Sequence, residues 1–435
     1  MEETAVRLPA RGKRVSSVEF WRFVFTVMVS LYHLEIFFMK KSLFPSGSGA
    51  VEFFFVLAGF TLAMGAEKRH IARGGAAASP KEAADRALTY AKNKLRAIVP
   101  VVLCWLVLHV LVSAGFQDLK SRLDFIMNSE WEVLLMVGTP MGFGGGFAPN
   151  IPLWFLTSLI AAGYVYTYLM ERHFDLMRFL APVIGVLGVT FFALKTTTVL
   201  DHNIAVGFMT AGTVKAFSEL SLGISVFFLY ARLREKKPKW WLRLLLELVE
   251  LYVIYRLYSL IIGRPAGLEN YKRTLYIMIL ILFSFLRFTP LTKLLDNPFS
   301  RLLGKITLAM YVCHYTLISL YFSLLQKGKM ALMVRSRSGS WQTKLYRFLG
   351  DTGGFDQKFK SIPMGWKDIV LYLVLLLVTA IVVTMLLWAL GKLFAAIRKR
   401  KAAKAAAEPE FPAPEEEPEQ TQEEVPEDPE PPKTE

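Results

Sequence analysis

The stretch EFWRFVFTVMVSLYHLEIFFMKKSLFPSGSGAVEFFFVLAGF, residues 19–60, decides the fold. It holds two apolar segments long enough to cross a bilayer, yet Glu19, Arg22, His33 and Glu52 lie in or beside them. An ionisable group at membrane depth costs about 3 kcal/mol on insertion scales, so such groups are functional candidates by default. Arg22 and His33 are separated by about three helical turns and therefore share a face, roughly 16 Å apart along the axis. Glu19 lies one turn before Arg22 on nearly the same stripe.

Outward from that stretch the pattern repeats. The 435 residues are 54% hydrophobic, and the mean hydropathy is positive at +0.38. Apolar runs of about twenty residues identify a polytopic, all-α membrane protein. Spans are expected near residues 19–39, 50–66, 95–115, 151–170, 176–195, 206–230, 243–262, 273–289, 304–326 and 366–396. The basic segments 67–94 and 231–242 belong on the cytoplasmic side by the positive-inside rule, which puts both termini of a ten-span chain there. The basic segment 327–365 falls on the outer side and disagrees, although the rule weakens for long loops.

The expected domains are a basic N-terminal segment (1–18), a membrane domain (19–397), and a basic anchor followed by a disordered acidic tail (398–435). The tail is rich in Pro and Glu and has little apolar surface to bury. The start of the chain reads as an uncleaved basic segment, since the first apolar run carries Arg22 and His33 and no small-residue cleavage site.

The net charge of +15 is explained by cytoplasmic anchoring and calls for no nucleic-acid partner. Cys104 and Cys313 both fall in apolar segments, so no metal site or disulfide framework is expected. Within the sixth span, Lys215 and Glu219 are spaced to pair at i,i+4. The glycine-rich run GTPMGFGGGFAPN, residues 138–150, cannot be a helix interior and permits irregular backbone.

Five blocks carry a resemblance. The first is Glu19, Arg22 and His33. The second runs from Glu52 to Phe60, EFFFVLAGF. Lys94, Arg96 and Pro100 form the third, Asn150 to Leu156 the fourth, and Leu303 to His314 the fifth, the last reading LGKITLAMYVCH. In this order they resemble the acyltransferase 3 family of integral membrane acyltransferases, which modify bacterial surface glycans. Ala58 and Thr307 stand where serine is usual, and Ala97 where a second basic residue is frequent.

The resemblance implies an O-acyltransferase in the bacterial plasma membrane with no permanently bound cofactor. It would move an acyl group, with acetyl the expected one, from cytoplasmic acyl-CoA to a hydroxyl of an extracytoplasmic glycan or lipid-linked acceptor. His33 would be the base, since histidine changes charge near neutral pH. Glu52 or Glu35 would orient its ring. Arg22, Lys94 and Arg96 would hold the phosphates of the donor; anchoring by positive charge accounts equally well for Lys94 and Arg96. Asn150, Trp154 and His314 would face the acceptor, with interfacial anchoring an equal reading for Trp154. By the residues alone, buried Arg, His and Glu also fit a proton-coupled transporter or flippase.

Overall fold

A computed structural model describes residues 15–38, 44–114, 151–195, 205–207, 209–263, 268–333 and 366–407. Its helices are α1 (Ser16–Phe38), α2 (Val51–Ala72), α3 (Pro80–Ala114), α4 (Trp154–Arg172) and α5 (Phe174–Lys195). They continue with α6 (Ala211–Leu233), α7 (Trp240–Ile262), α8 (Leu268–Leu286), the short α9 (Pro290–Leu295), α10 (Pro298–Met333) and α11 (Trp366–Ala407). A two-residue hairpin, β1 (Ala205–Val206) paired with β2 (Met209–Thr210), precedes α6. Without α9, the order of helices is the order expected from the apolar runs. Four of the described stretches, Gly47–Ala72, Phe174–Leu194, Ala211–Leu233 and Trp366–Arg400, are long and apolar enough to cross a membrane on length and composition alone.

Several boundaries differ from expectation, each for a local reason. Segment 67–94 is mostly helical: α2 runs to Ala72 and α3 starts at Pro80. The start is encoded by Ser79-Pro80-Lys81-Glu82, a capping serine, a proline at the first helical position and an acidic third residue. Ser79 Oγ accepts the Glu82 backbone N–H at 3.1 Å. Pro100 therefore lies inside α3. The last helix runs through the basic anchor to Ala407, since alanine and lysine are strong helix formers. Residues 115–150, with the glycine-rich run, and 408–435, with the acidic tail, lie outside the described residues.

The chain divides into two units, Met1–Leu387 and Trp388–Glu435. In the second, the described residues 388–400 are exposed throughout, and Lys392 Nζ sits 3.8 Å from the centre of the Trp388 ring.

In the first unit the most extensive packing joins α2 to α6, α5 to α6, and α1 to α10. The α2–α6 crossing depends on two glycines. A Cβ on Gly59 would fall 2.0 Å from the Leu220 carbonyl oxygen, and one on Gly223 would fall 2.0 Å from that of Val56. Small residues let helix backbones approach this closely in membranes. Gly223→Ala is expected to force the helices apart and cost about 1–3 kcal/mol. Thermal unfolding in detergent checks this, and an unchanged Tm would contradict it.

At the other end of α2, Glu171 at the close of α4 is fully buried and accepts from Arg69 Nε at 2.6 Å and Arg73 Nη1 at 2.9 Å. Arg172 Nη1 donates to the Ala78 carbonyl at 2.7 Å. These bonds tie the α2–α3 turn to α4.

Candidate active site

Helix α1 sets out the polar groups along one side. Near its start, Arg22 Nη1 donates to Glu19 Oε2 at 2.6 Å. The α10 backbone comes close here because residue 304 is glycine: a Cβ on Gly304 would lie 2.0 Å from Glu19 Oε2. Glu19 and Arg22 line a cavity of about 790 Å³, within the range of small-molecule sites. Lys94 of α3 and Lys305 of α10 line the same cavity. Lys94 Nζ also lies 5.4 Å from the centre of the Tyr90 ring. Three cations against one carboxylate leave this region positive.

The rest of the wall is largely apolar, built from side chains such as Phe54, Leu57, Phe155 and Tyr311. Three of these rings form a continuous aromatic group, with Tyr311 centred 6.4 Å from Phe54 and 5.5 Å from Phe155. The Tyr311 hydroxyl donates to the Pro152 carbonyl at 2.7 Å.

One turn beyond Tyr311 on α10, His314 is fully buried and meets His33. Its Nε2 lies 3.1 Å from His33 Nδ1, and the ring centres are 5.0 Å apart. The backbone contacts assign the tautomers. His314 Nδ1 is 2.5 Å from the Tyr311 carbonyl, and His33 Nδ1 is 3.0 Å from the Val29 carbonyl. A carbonyl oxygen can only accept, so both Nδ1 atoms carry hydrogen. In neutral rings both Nε2 atoms are then lone-pair acceptors. His314 Nε2 accepts from His33 Nδ1–H, and His33 Nε2 is the nitrogen able to take up a proton. The Tyr372 hydroxyl donates to the His314 carbonyl at 3.1 Å, fixing this part of α10 against α11.

Glu52 has other partners than the one expected. Its carboxylate, 1% exposed, accepts from Lys215 Nζ at 2.7 Å, from Thr274 Oγ1 at 2.9 Å and from Arg273. Lys215 also pairs with Glu219 at 2.9 Å, as their spacing suggested. Two carboxylates and two cations from α2, α6 and α8 thus form one buried cluster. In the hydrogen bonds described, His33 is oriented by Val29 and His314, while Glu52 is engaged in that cluster. The side chain of Glu35 and the whole of Asn150 lie outside the described residues.

Of the expected donor contacts, Arg22 and Lys94 share the cavity wall, whereas Arg96 is exposed and is not among the wall residues. Trp154 opens α4 with its ring centred 6.0 Å from that of Phe55. Lys305, Tyr311 and the Lys215–Arg273 pair were not singled out for this site from the sequence. The available signals were local: Tyr311 lies one turn before His314 in the last block, Lys305 lies in the same block, and Lys215 is spaced to pair with Glu219.

A family model described as an acyltransferase domain, of the acyltransferase 3 type, matches residues 15–389. No curated protein and no solved structure matches the chain.

Proposed function

The chain belongs to the acyltransferase 3 family and is an acyltransferase of the membrane type; from that premise we propose that it transfers an acyl group, acetyl in the first instance, from cytoplasmic acyl-CoA to a hydroxyl of an extracytoplasmic glycan or lipid-linked acceptor in a bacterial plasma membrane. The observation that carries this reading is the arrangement along α1: a cavity lined by cations at Arg22, and a paired histidine about three turns further on.

Alternating spans support the two-sided arrangement. Glu52, Lys215 and Arg273 each lie within two turns of the start of an even-numbered helix, and they meet in one cluster. Arg22 and Lys305 lie near the starts of α1 and α10, the latter the ninth long helix because the short α9 is not a span, and they meet at the cavity. A ten-span bundle would put these two groups of helix starts on opposite faces, and the positive-inside rule would put the cavity cations on the side of the basic segments 67–94 and 231–242.

In the reaction, His33 Nε2 takes the proton of the acceptor hydroxyl as its oxygen attacks the thioester carbonyl. His33 Nδ1–H, held by Val29 and His314, keeps the accepting nitrogen turned to the substrate. The tetrahedral intermediate collapses with cleavage of the C–S bond, and the proton on His33 passes to the leaving thiolate. The products are the acyl ester and free CoA thiol. Arg22, Lys94 and Lys305 would bind the donor's phosphates, arginine as a fork and the lysines as point charges.

Purified protein in nanodiscs, supplied with labelled acetyl-CoA and an envelope-glycan fraction, tests the reading by ester-linked label in the glycan. Arg22→Ala is expected to raise KM for acetyl-CoA about tenfold or more, in keeping with loss of a charge-assisted contact. An unchanged KM would remove Arg22 from the donor site.

A further inference from the structure

Thr26 lies one turn beyond Arg22 on α1, is fully buried and lines the cavity. Among the described residues it has the one buried serine or threonine hydroxyl with no hydrogen-bond partner. The contrast with its neighbours is sharp. Ser30, Thr61, Thr167, Ser218 and Ser284 each donate to the carbonyl four residues earlier, at 2.7 to 3.0 Å. That bond is open to a helical threonine, which divides between two χ1 wells. A buried hydroxyl left without a partner costs stability, and a substrate that supplies the partner offsets the cost.

We propose that Thr26 is a donor-binding residue whose hydroxyl hydrogen-bonds an amide of the pantetheine arm of an acyl thioester. The proposal rests on the acyl-CoA reading above and adds the contact that sets the donor's depth. Spacing selects the amide. Along α1, Thr26 lies about 10.5 Å before His33 and about 6 Å beyond Arg22.

An extended chain advances about 1.25 Å per bond, given single bonds near 1.5 Å and angles near 111°. From the thioester carbon, the amide nearest the sulfur is then about 5 Å away, the next amide about 10 Å, and the first phosphorus about 17 Å. With the thioester at the level of His33, the second amide falls at Thr26 and the phosphates at Arg22. A hydroxyl can donate to the amide carbonyl or accept from its N–H. Neither histidine is among the wall residues, but Tyr311 lines the cavity and has its ring centred 5.7 Å from that of His314, so the acyl end would pass beside this ring.

The test uses the full chain in nanodiscs, with acetyl-CoA as the probe, comparing wild type, Thr26→Val and Thr26→Ser. Valine keeps the shape and removes the hydroxyl. The expected result for Thr26→Val is an unchanged or higher Tm without donor, and a smaller Tm rise on adding acetyl-CoA. Its KM for acetyl-CoA should rise about five- to tenfold, with the loss falling on KM and not on kcat. Thr26→Ser should return KM to within about twofold of wild type. A wild-type KM in Thr26→Val overturns the proposal. So does a lowered Tm without donor, because the hydroxyl would then have a structural partner. If the wild type itself uses no acetyl-CoA, the donor reading has failed, and that result is distinguishable from failure at Thr26 alone.

Discussion

His33→Ala is expected to lower kcat about a hundred- to ten-thousandfold, the contribution of a positioned general base, while the affinity for acyl-CoA holds. The affinity is retained because Arg22, Lys94 and Lys305 line the cavity, and His33 is not among its wall residues. Single-turnover transfer from labelled acetyl-CoA, alongside donor-induced thermal shift, separates the two quantities. His314→Gln should be milder than His33→Ala. Its ring accepts the His33 Nδ1–H and so fixes the tautomer, but Val29 also accepts that hydrogen. Equal losses in the two variants would mean that His314 takes a direct part in proton transfer. A His33→Ala enzyme with wild-type kcat would remove the base from the account.

Glu52→Ala is expected to destabilise the protein by about 3–5 kcal/mol, the range for removing one partner from a buried ionic group. The reason is the cluster around it: Lys215 and Arg273 would remain buried with only Glu219 to balance them. A fall in Tm measured in detergent, with transfer per folded molecule retained at low temperature, identifies Glu52 as the structural anchor of α2, α6 and α8. A normal Tm with lost turnover would instead return Glu52 to the role of orienting His33. The aromatic ring next in sequence gives a second route for the effect, since Phe53 stacks on Phe25 of α1 with centres 4.4 Å apart. Moving the start of α2 would therefore disturb the helix that carries His33.

What the sequence made legible was local. The Arg22-to-His33 stripe and the Lys215–Glu219 pair follow from positions on one helix, where the 3.6-residue period determines the face, and the order of the helices follows from the apolar runs. What it hid was mostly long-range. Glu52 meets partners 163 and 221 residues away, and His33 meets His314 at a separation of 281. Periodicity assigns a side chain to a face but names no partner across the bundle. Lys305 was read as part of a block and not as a wall of the cavity for the same reason.

The start of α3 is a different case. Ser79-Pro80-Lys81-Glu82 is a local helix-start signal that lies within a segment whose dominant feature is its positive charge. The unpartnered hydroxyl of Thr26 could not have been anticipated at all, since only packing reveals which hydroxyls find a carbonyl.

The most direct test compares ester-linked acyl groups on the envelope glycans of cells lacking the gene, complemented with wild type or with His33→Ala at matched membrane levels. Acylation is expected to be lost with the gene, to return with wild type and to stay absent with His33→Ala. Acylation restored equally by both would contradict this reading.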